Sequence, residues 1–301
     1  MTSIHRVGAA LAAVVLLASC ATGGSKPGAD RVLQLTSDLG IQKVGWAQVT
    51  SDQVWVRSVK DGAWQTATLT GKTSKVQGTE SSDFGWKQVD TADLKVSDLE
   101  QAMTRHEQQC QQGLEGQVGA TTTGALLSLV TCNQKVVSTA VGGAELAPIK
   151  QWDTGGIDTA LKDVAAVQGP QARHLSFSTP KSGTVGGKLL VRDIGAPVTG
   201  VDGKPCMVTV TRFGTPDEAL GTLDWGGCDQ AEPFGDGTFA RSEVSGAAIE
   251  RGLTKAASVM GIDPTDIGTF DVFSQKGVLR VQANAGDGVP AKAPSVTVPL
   301  G

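Results

Sequence analysis

Cys110, Cys132, Cys206 and Cys228 stand in two pairs of equal sequence separation, and their thiols are the first groups that could do chemistry. Four cysteines allow three disulfide connectivities. The local pairs Cys110–Cys132 and Cys206–Cys228 are preferred, since each falls in a different half of the chain. There is no C-x-x-C pair and the spacings match no zinc pattern, so no metal is expected on them. Catalysis by a cysteine–histidine pair needs a free thiolate, which oxidation removes. The histidines are His5, His106 and His174, and no G-x-S-x-G, H-E-x-x-H or phosphate-binding loop motif occurs. Asp224, Asp229, Glu232 and Asp236 surround Cys228 without the ligand spacing of a calcium loop, and a solvated acidic loop explains them. Arg173 and His174 lie at the start of a strand, where they could meet an anion or occupy a surface edge. Trp46, Trp55, Trp64 and Trp86 crowd one region. They could form a ligand platform, for sugars for example. Packing across a sheet is favoured, because tryptophan is a preferred strand residue. No catalytic residue and no cofactor is assigned.

The elements that position these groups follow from turns and periodicity. Asp61-Gly62 is a hairpin turn between a strand around Val54 and Val56 and a returning strand, Trp64 to Leu69. Strands at Val44–Val49 and Phe84–Val89 flank it. Ser97-Asp-Leu-Glu100 reads as a capping box opening a helix that runs to about Gln112. Leu99, Met103, His106 and Cys110 share one face of it, which makes His106 a core-edge residue beside a disulfide. A strand from Ala125 to Thr131 turns at Asn133-Gln134 into Val136–Val141. The segment 142–156 has turn residues and no period, and marks the boundary between halves.

The second half repeats the style. A helix carries Ile157, Leu161 and Val164 and stops at Gly169-Pro170. Strands follow at His174–Ser178, Lys188–Ile194 and Met207–Phe213. Thr215-Pro-Asp-Glu218 reads as a short helix, and the glycines at 226 and 227 as a loop. A helix from Ser245 carries Ile249, Leu253, Ala256 and Met260, and Gly261 ends it. A hairpin turning at Lys276-Gly277 closes the chain. The order predicts an α+β fold of antiparallel sheets built from helix-then-hairpin units, helices packed on one face. Two α+β domains are expected, at 31–145 and 150–301.

The amino terminus places the protein. Val7 to Leu17 is almost wholly apolar. It is too short for a membrane span, which takes about 20 apolar residues, and fits the apolar region of a secretory signal. Leu17-Ala18-Ser19-Cys20 resembles the bacterial lipoprotein signal. That resemblance implies cleavage before Cys20 and a diacylglyceryl group on its thiol. Two acyl chains hold a protein to a bilayer stably where one is marginal. Residues 1–19 are then a signal peptide and 20–30 a flexible tether. The protein would sit on the extracytoplasmic face of the cell membrane.

The chain has 301 residues and a formal net charge of −4. No basic stripe occurs, which argues against nucleic acid as a partner. The expectation is a non-catalytic, lipid-anchored envelope protein that binds a protein, glycan or lipid. An inhibitor or regulator of a secreted enzyme, and a hydrolase with a carboxylate pair, are the alternatives.

Overall fold

A computed structural model describes residues 28–80, 83–110, 112–183, 187–229 and 235–300. In chain order the first half contains α1 (Gly28–Asp38), β1 (Lys43–Val44), β2 (Trp46–Val49), β3 (Gln53–Lys60), β4 (Ala63–Thr70), β5 (Thr73–Glu80) and β6 (Val89–Asp90). Then come α2 (Val96–His106), β7 (Leu114–Ala120), β8 (Leu126–Cys132), β9 (Lys135–Val141) and β10 (Ala144–Glu145). The second half contains α3 (Thr154–Gln168), β11 (Gln171–Ser178), β12 (Leu190–Gly195), β13 (Val198–Thr199), β14 (Pro205–Asp217) and β15 (Gly221–Asp229). It closes with β16 (Phe239–Ala240), α4 (Gly246–Met260), β17 (Ile267–Gln275), β18 (Val278–Ala285) and β19 (Ser295–Pro299). The class is α+β and the sheets are antiparallel.

Among the described residues the first half forms an 8-stranded sheet in the order β10-β9-β8-β7-β2-β3-β4-β5. The second half follows the path β13-β14-β12-β11-β17-β18-β19, with β15 on β14 and β16 on β11. Turn chemistry sets the registers. Asp61 and Gly62 both take positive φ (52° and 74°), the geometry that joins two twisted strands by two residues. Asn133-Gln134 and Lys276-Gly277 make the same kind of turn with φ between 51° and 70°.

Alternation in the strands gives each sheet one apolar face. In the first sheet Ala47, Val49, Val54, Val56, Ala67, Leu69, Val118 and Val130 pack with Val32 and Leu35 of α1 and Leu99 and Met103 of α2. Each buried valine, leucine or methionine among them contributes about 1.5–3 kcal/mol. In the second, Leu175, Phe177, Val191, Phe270, Val272 and Val281 pack with Ile157 and Val164 of α3 and Ile249 and Met260 of α4. Two charged pairs are sealed there. Arg212 is wholly buried and pairs with Asp163 of α3 at 2.8 Å. Arg241 pairs with the fully buried Asp193 at 2.7 Å.

The halves touch closely. Thr122 and Thr123, in the β7–β8 turn, donate to the carbonyls of Val167 (2.9 Å) and Ala166 (2.7 Å), the last turn of α3. The Val136 N–H donates to the Glu218 carbonyl at 2.6 Å, and the Ile149 N–H to Gly214 at 2.6 Å.

Several expectations are corrected. Residues Gly28 to Asp30, expected in the tether, form the first turn of α1; Cys20 and the rest of that segment lie outside the described residues. The capping box does not form: α2 begins at Val96 after Lys95 in the left-handed region, with no side-chain cap. Glu100 instead accepts from the N–H groups of Gly28 and, at 3.2 Å, Ala29, capping α1 across the structure. The helix α2 stops at His106, short of Gln112. The residues Phe84 to Gln88 are irregular rather than a strand. Thr215 to Asp217 end β14 instead of opening a helix, because Asp217 turns the chain by accepting from the N–H groups of Ala219 (2.9 Å) and Leu220 (3.2 Å). The glycines at 226 and 227 lie within β15 rather than a loop.

Candidate functional site

The face of the first sheet away from the helices carries the site. Register places Trp46 opposite Arg57 and Gln48 opposite Trp55, on β2 and β3. On β7, Gly119 stands opposite Trp46 and Gln117 opposite Gln48. The irregular segment from Asp83 crosses this face and is tied down by Lys87 N–H donating to Ala120 at 2.8 Å. Gly119 admits it: a Cβ there would come within 2.7 Å of the Trp86 ring. From the second half, β15 brings Asp224 and Trp225. Between them lies a hollow of about 540 Å³ lined by Trp46, Arg57, Phe84, Trp86, Gln117, Leu129, Asp224 and Trp225. A second hollow of about 450 Å³ shares Trp46 and Arg57 and extends over Gln48, Trp55, Thr66 and Glu80.

The rings are fixed in pairs. Trp86 stacks on Trp225 with centroids 4.7 Å apart and planes 11° apart. The Arg57 guanidinium lies 4.6 Å from the Trp46 ring centre and 4.0 Å from that of Phe84, a cation–π arrangement. Its Nε is 3.4 Å from Glu80, which also accepts from the Thr66 hydroxyl. Trp64 is buried, set edge-on to Phe84 with centroids 5.9 Å apart. The four expected tryptophans therefore split: Trp64 and Trp46 are buried, Trp46 with an edge on both hollows, while the half-buried Trp55 and Trp86 line one hollow each.

Some polar groups here are committed. Asp83 accepts from Trp64 Nε1 at 2.9 Å and Gly85 N–H at 2.8 Å with one oxygen, and from Val201 N–H at 2.7 Å with the other. Trp225 Nε1 donates to the Phe84 carbonyl at 2.7 Å. Others are not. Among the described residues, the Gln117 amide, the terminal nitrogens of Arg57 and the indole N–H groups of Trp46, Trp55 and Trp86 make no intramolecular hydrogen bond. Burial raises the Asp224 carboxyl above its ordinary value, against the pull of the Trp225 N–H, and the like charge of Asp217 adds to the rise.

Both cysteine pairs stand at bonding distance. Cys110 and Cys132 have Cα atoms 5.6 Å apart, and Cys206 and Cys228 5.5 Å apart. The first joins the chain just after α2 to the end of β8. The second joins β14 to β15 beside the larger hollow, where Cys228 N–H also donates to the Asp83 carbonyl at 3.0 Å. Asp83 and these two sulfurs lie close together. The sulfurs are bonded to each other and both Asp83 oxygens are occupied, so the trio is not a ligand set.

The remaining candidates are dispersed. His106 is half-buried at the end of α2. Arg173 and His174 lie inside β11, and His174 Nε2 is 3.0 Å from Asp271. Asp236 accepts from Lys276 N–H at 2.6 Å, fixing the β17–β18 turn. Glu232 and the Asp229 side chain are outside the described residues. Arg57, Phe84, Gln117 and Trp225 were not singled out in the sequence. The alternation Leu223–Trp225 was the signal available for the last of them.

Comparison with family models gives no match, and comparison with curated proteins gives none either. Among solved structures, a PCNA2–PCNA3 complex from Sulfolobus tokodaii is similar at 11% identity, over 88% of this chain and 96% of that chain, with a TM-score of 0.15. A likeness at that score carries no argument. No described helix is long and apolar enough to cross a membrane.

Proposed function

We propose that this is a non-catalytic envelope lipoprotein, held by a lipid on Cys20, that binds its ligand in the cleft where the two halves meet. The scaffold is read as helix-then-hairpin units in two domains, 31–145 and 150–301. Its support is that β2 and β7, which come after α1 and α2, pair near the centre of one sheet, and β11 and β17, the next strands after α3 and α4, pair near the centre of the other. One observation carries the functional reading. Three tryptophans with no internal N–H partner, an amide, an arginine and a carboxyl line two adjoining hollows while the neighbouring Asp83 and Trp225 are bonded internally. A ligand site of this size is walled by apolar and aromatic groups with a few convergent polar ones.

Within this cleft a hydrolytic carboxylate pair is not favoured. Asp83 holds three hydrogen bonds, which leaves Asp224 without a second free carboxyl in the larger hollow. The test is retention of solubilised envelope material on the immobilised wild type and on Gln117→Ala/Asp224→Asn. A component held by the first and lost by the second supports the reading. Equal retention places any binding elsewhere.

A further inference from the structure

We infer that the occupant of this cleft is an uncharged oligosaccharide lying lengthwise across Trp46 and Arg57, with sugar units in both hollows. The inference rests on the reading of the cleft as a ligand site. The hollows share those two residues, so an occupant that fills both is elongated. Each, at about 540 and about 450 Å³, is within the range of small-ligand pockets.

The lining chemistry points to a polyol. Rings alternate with side chains that both donate and accept: Trp55 stands beside Gln48, and Trp46 beside Gln117. Sugar hydroxyls also donate and accept, and match amides and carboxylates in turn, while the C–H face of a sugar ring can lie flat on Trp55, the lining ring that neither Arg57 nor Trp225 covers. Free indole N–H groups give the same walls a polar handle.

Charge and the pairing of the floor strands weigh against an acidic chain and against a nucleic acid. The Arg57 guanidinium is offset by Glu80 at 3.4 Å, and Asp224 stands on the other wall. An acidic chain meets Glu80, Asp83 and Asp224 against the single arginine. The described lining holds one arginine and no lysine, too little to neutralise a phosphate backbone. Peptides captured by strand addition use sheet edges. Here β2, β3 and β7, which carry Trp46, Trp55, Arg57 and Gln117, are each paired on both sides, so side chains do the recognising on the cleft floor, and the open strand edges at β5 and β15 lie at its margins.

The experiment is calorimetric titration of the full-length chain, in a detergent without a sugar headgroup. The probes are glucose and hexasaccharides of β-linked N-acetylglucosamine, β-linked glucose and α-linked glucose, with a hyaluronan hexasaccharide as the acidic arm. At least one uncharged hexasaccharide should bind at least about tenfold tighter than the monosaccharide. Trp55→Ala and Gln117→Ala should each weaken it by about tenfold or more with melting temperature unchanged. Arg57→Lys, which keeps the charge and loses the planar stack, serves as the conservative check. Unchanged affinity in the variants overturns the inference, as does preference for hyaluronan. If no uncharged sugar binds while envelope material still shields the cleft tryptophans from oxidation, the sugar assignment fails and the cleft reading stands. If nothing shields them, both fail.

Discussion

Trp86 of the first half lies flat on Trp225 of the second, ring centroids 4.7 Å apart. The stack closes one wall of the cleft and joins the two sheets. It rests on Gly119, where a Cβ would meet the Trp86 ring at 2.7 Å. Gly119→Ala should therefore displace Trp86 at a cost of about 1–3 kcal/mol. Trp86→Ala and Trp225→Ala should couple by about 0.5–1.5 kcal/mol in a double-mutant cycle followed by urea unfolding. Strict additivity would show that the stack carries no energy between the halves.

Glu100 caps α1 from α2. Its carboxylate accepts from the N–H groups of Gly28 and Ala29, and the negative charge suits the positive end of the helix. Glu100→Ala should cost about 1 kcal/mol and speed hydrogen exchange in the first turn of α1. Glu100→Gln, which keeps an acceptor, should recover part of the loss. If exchange changes at the start of α2 alone, the cap acts within its own helix.

Asp193 titrates in an unusual range. Burial pushes its carboxyl up to about 6, against the opposing pulls of Arg241 and His174. The folded chain thus holds a proton that the unfolded chain has released once pH passes about 4. Stability from this group is fully present below the unfolded value and is lost as pH rises through about 6. Urea midpoints at about pH 4.5 and about pH 7 should differ less in Asp193→Asn than in wild type. Arg241→Met strands the carboxylate without its partner and should cost about 3–5 kcal/mol at neutral pH.

The two cysteine pairs stand at bonding distance, and the lipid proposed for Cys20 is tested separately. Cys20→Ala should abolish labelling by a fatty-acid probe, and persistent labelling refutes the anchor. Mass mapping without reduction should recover Cys110–Cys132 and Cys206–Cys228; a Cys132–Cys206 link contradicts the pairing. Removing the second bond should cost about 2–4 kcal/mol and loosen β15, the cleft wall that carries Asp224 and Trp225.

Much of the fold was legible where a turn imposes backbone geometry. Asp61-Gly62 and Lys276-Gly277 announced their hairpins because few residues accept positive φ, and Gly169 and Gly261 marked two helix ends. The helix α1 was missed because its short stretch is held from outside, by Glu100 and by Arg31 donating to the carbonyls of Thr50 and, at 3.2 Å, Ser51. The edge strand β5 was missed because almost none of its side chains is buried, so no alternation shows. Thr215-Pro and Gly226-Gly227 misled by local propensity, which the β14–β15 ladder overrides. The tryptophans were visible as a group. Only packing separates the buried Trp64, bonded to Asp83, and Trp46 from the half-buried Trp55 and Trp86.

The most direct test of a ligand cleft between the halves is mild oxidation of tryptophan, mapped residue by residue with and without solubilised envelope material. Trp46, Trp55, Trp86 and Trp225 should be shielded when that material is present. Trp152, whose N–H donates to the Ser178 carbonyl at 2.7 Å away from the cleft, should react equally in both states. Protection at Trp152 alone, or no change at the four cleft residues, would contradict the account.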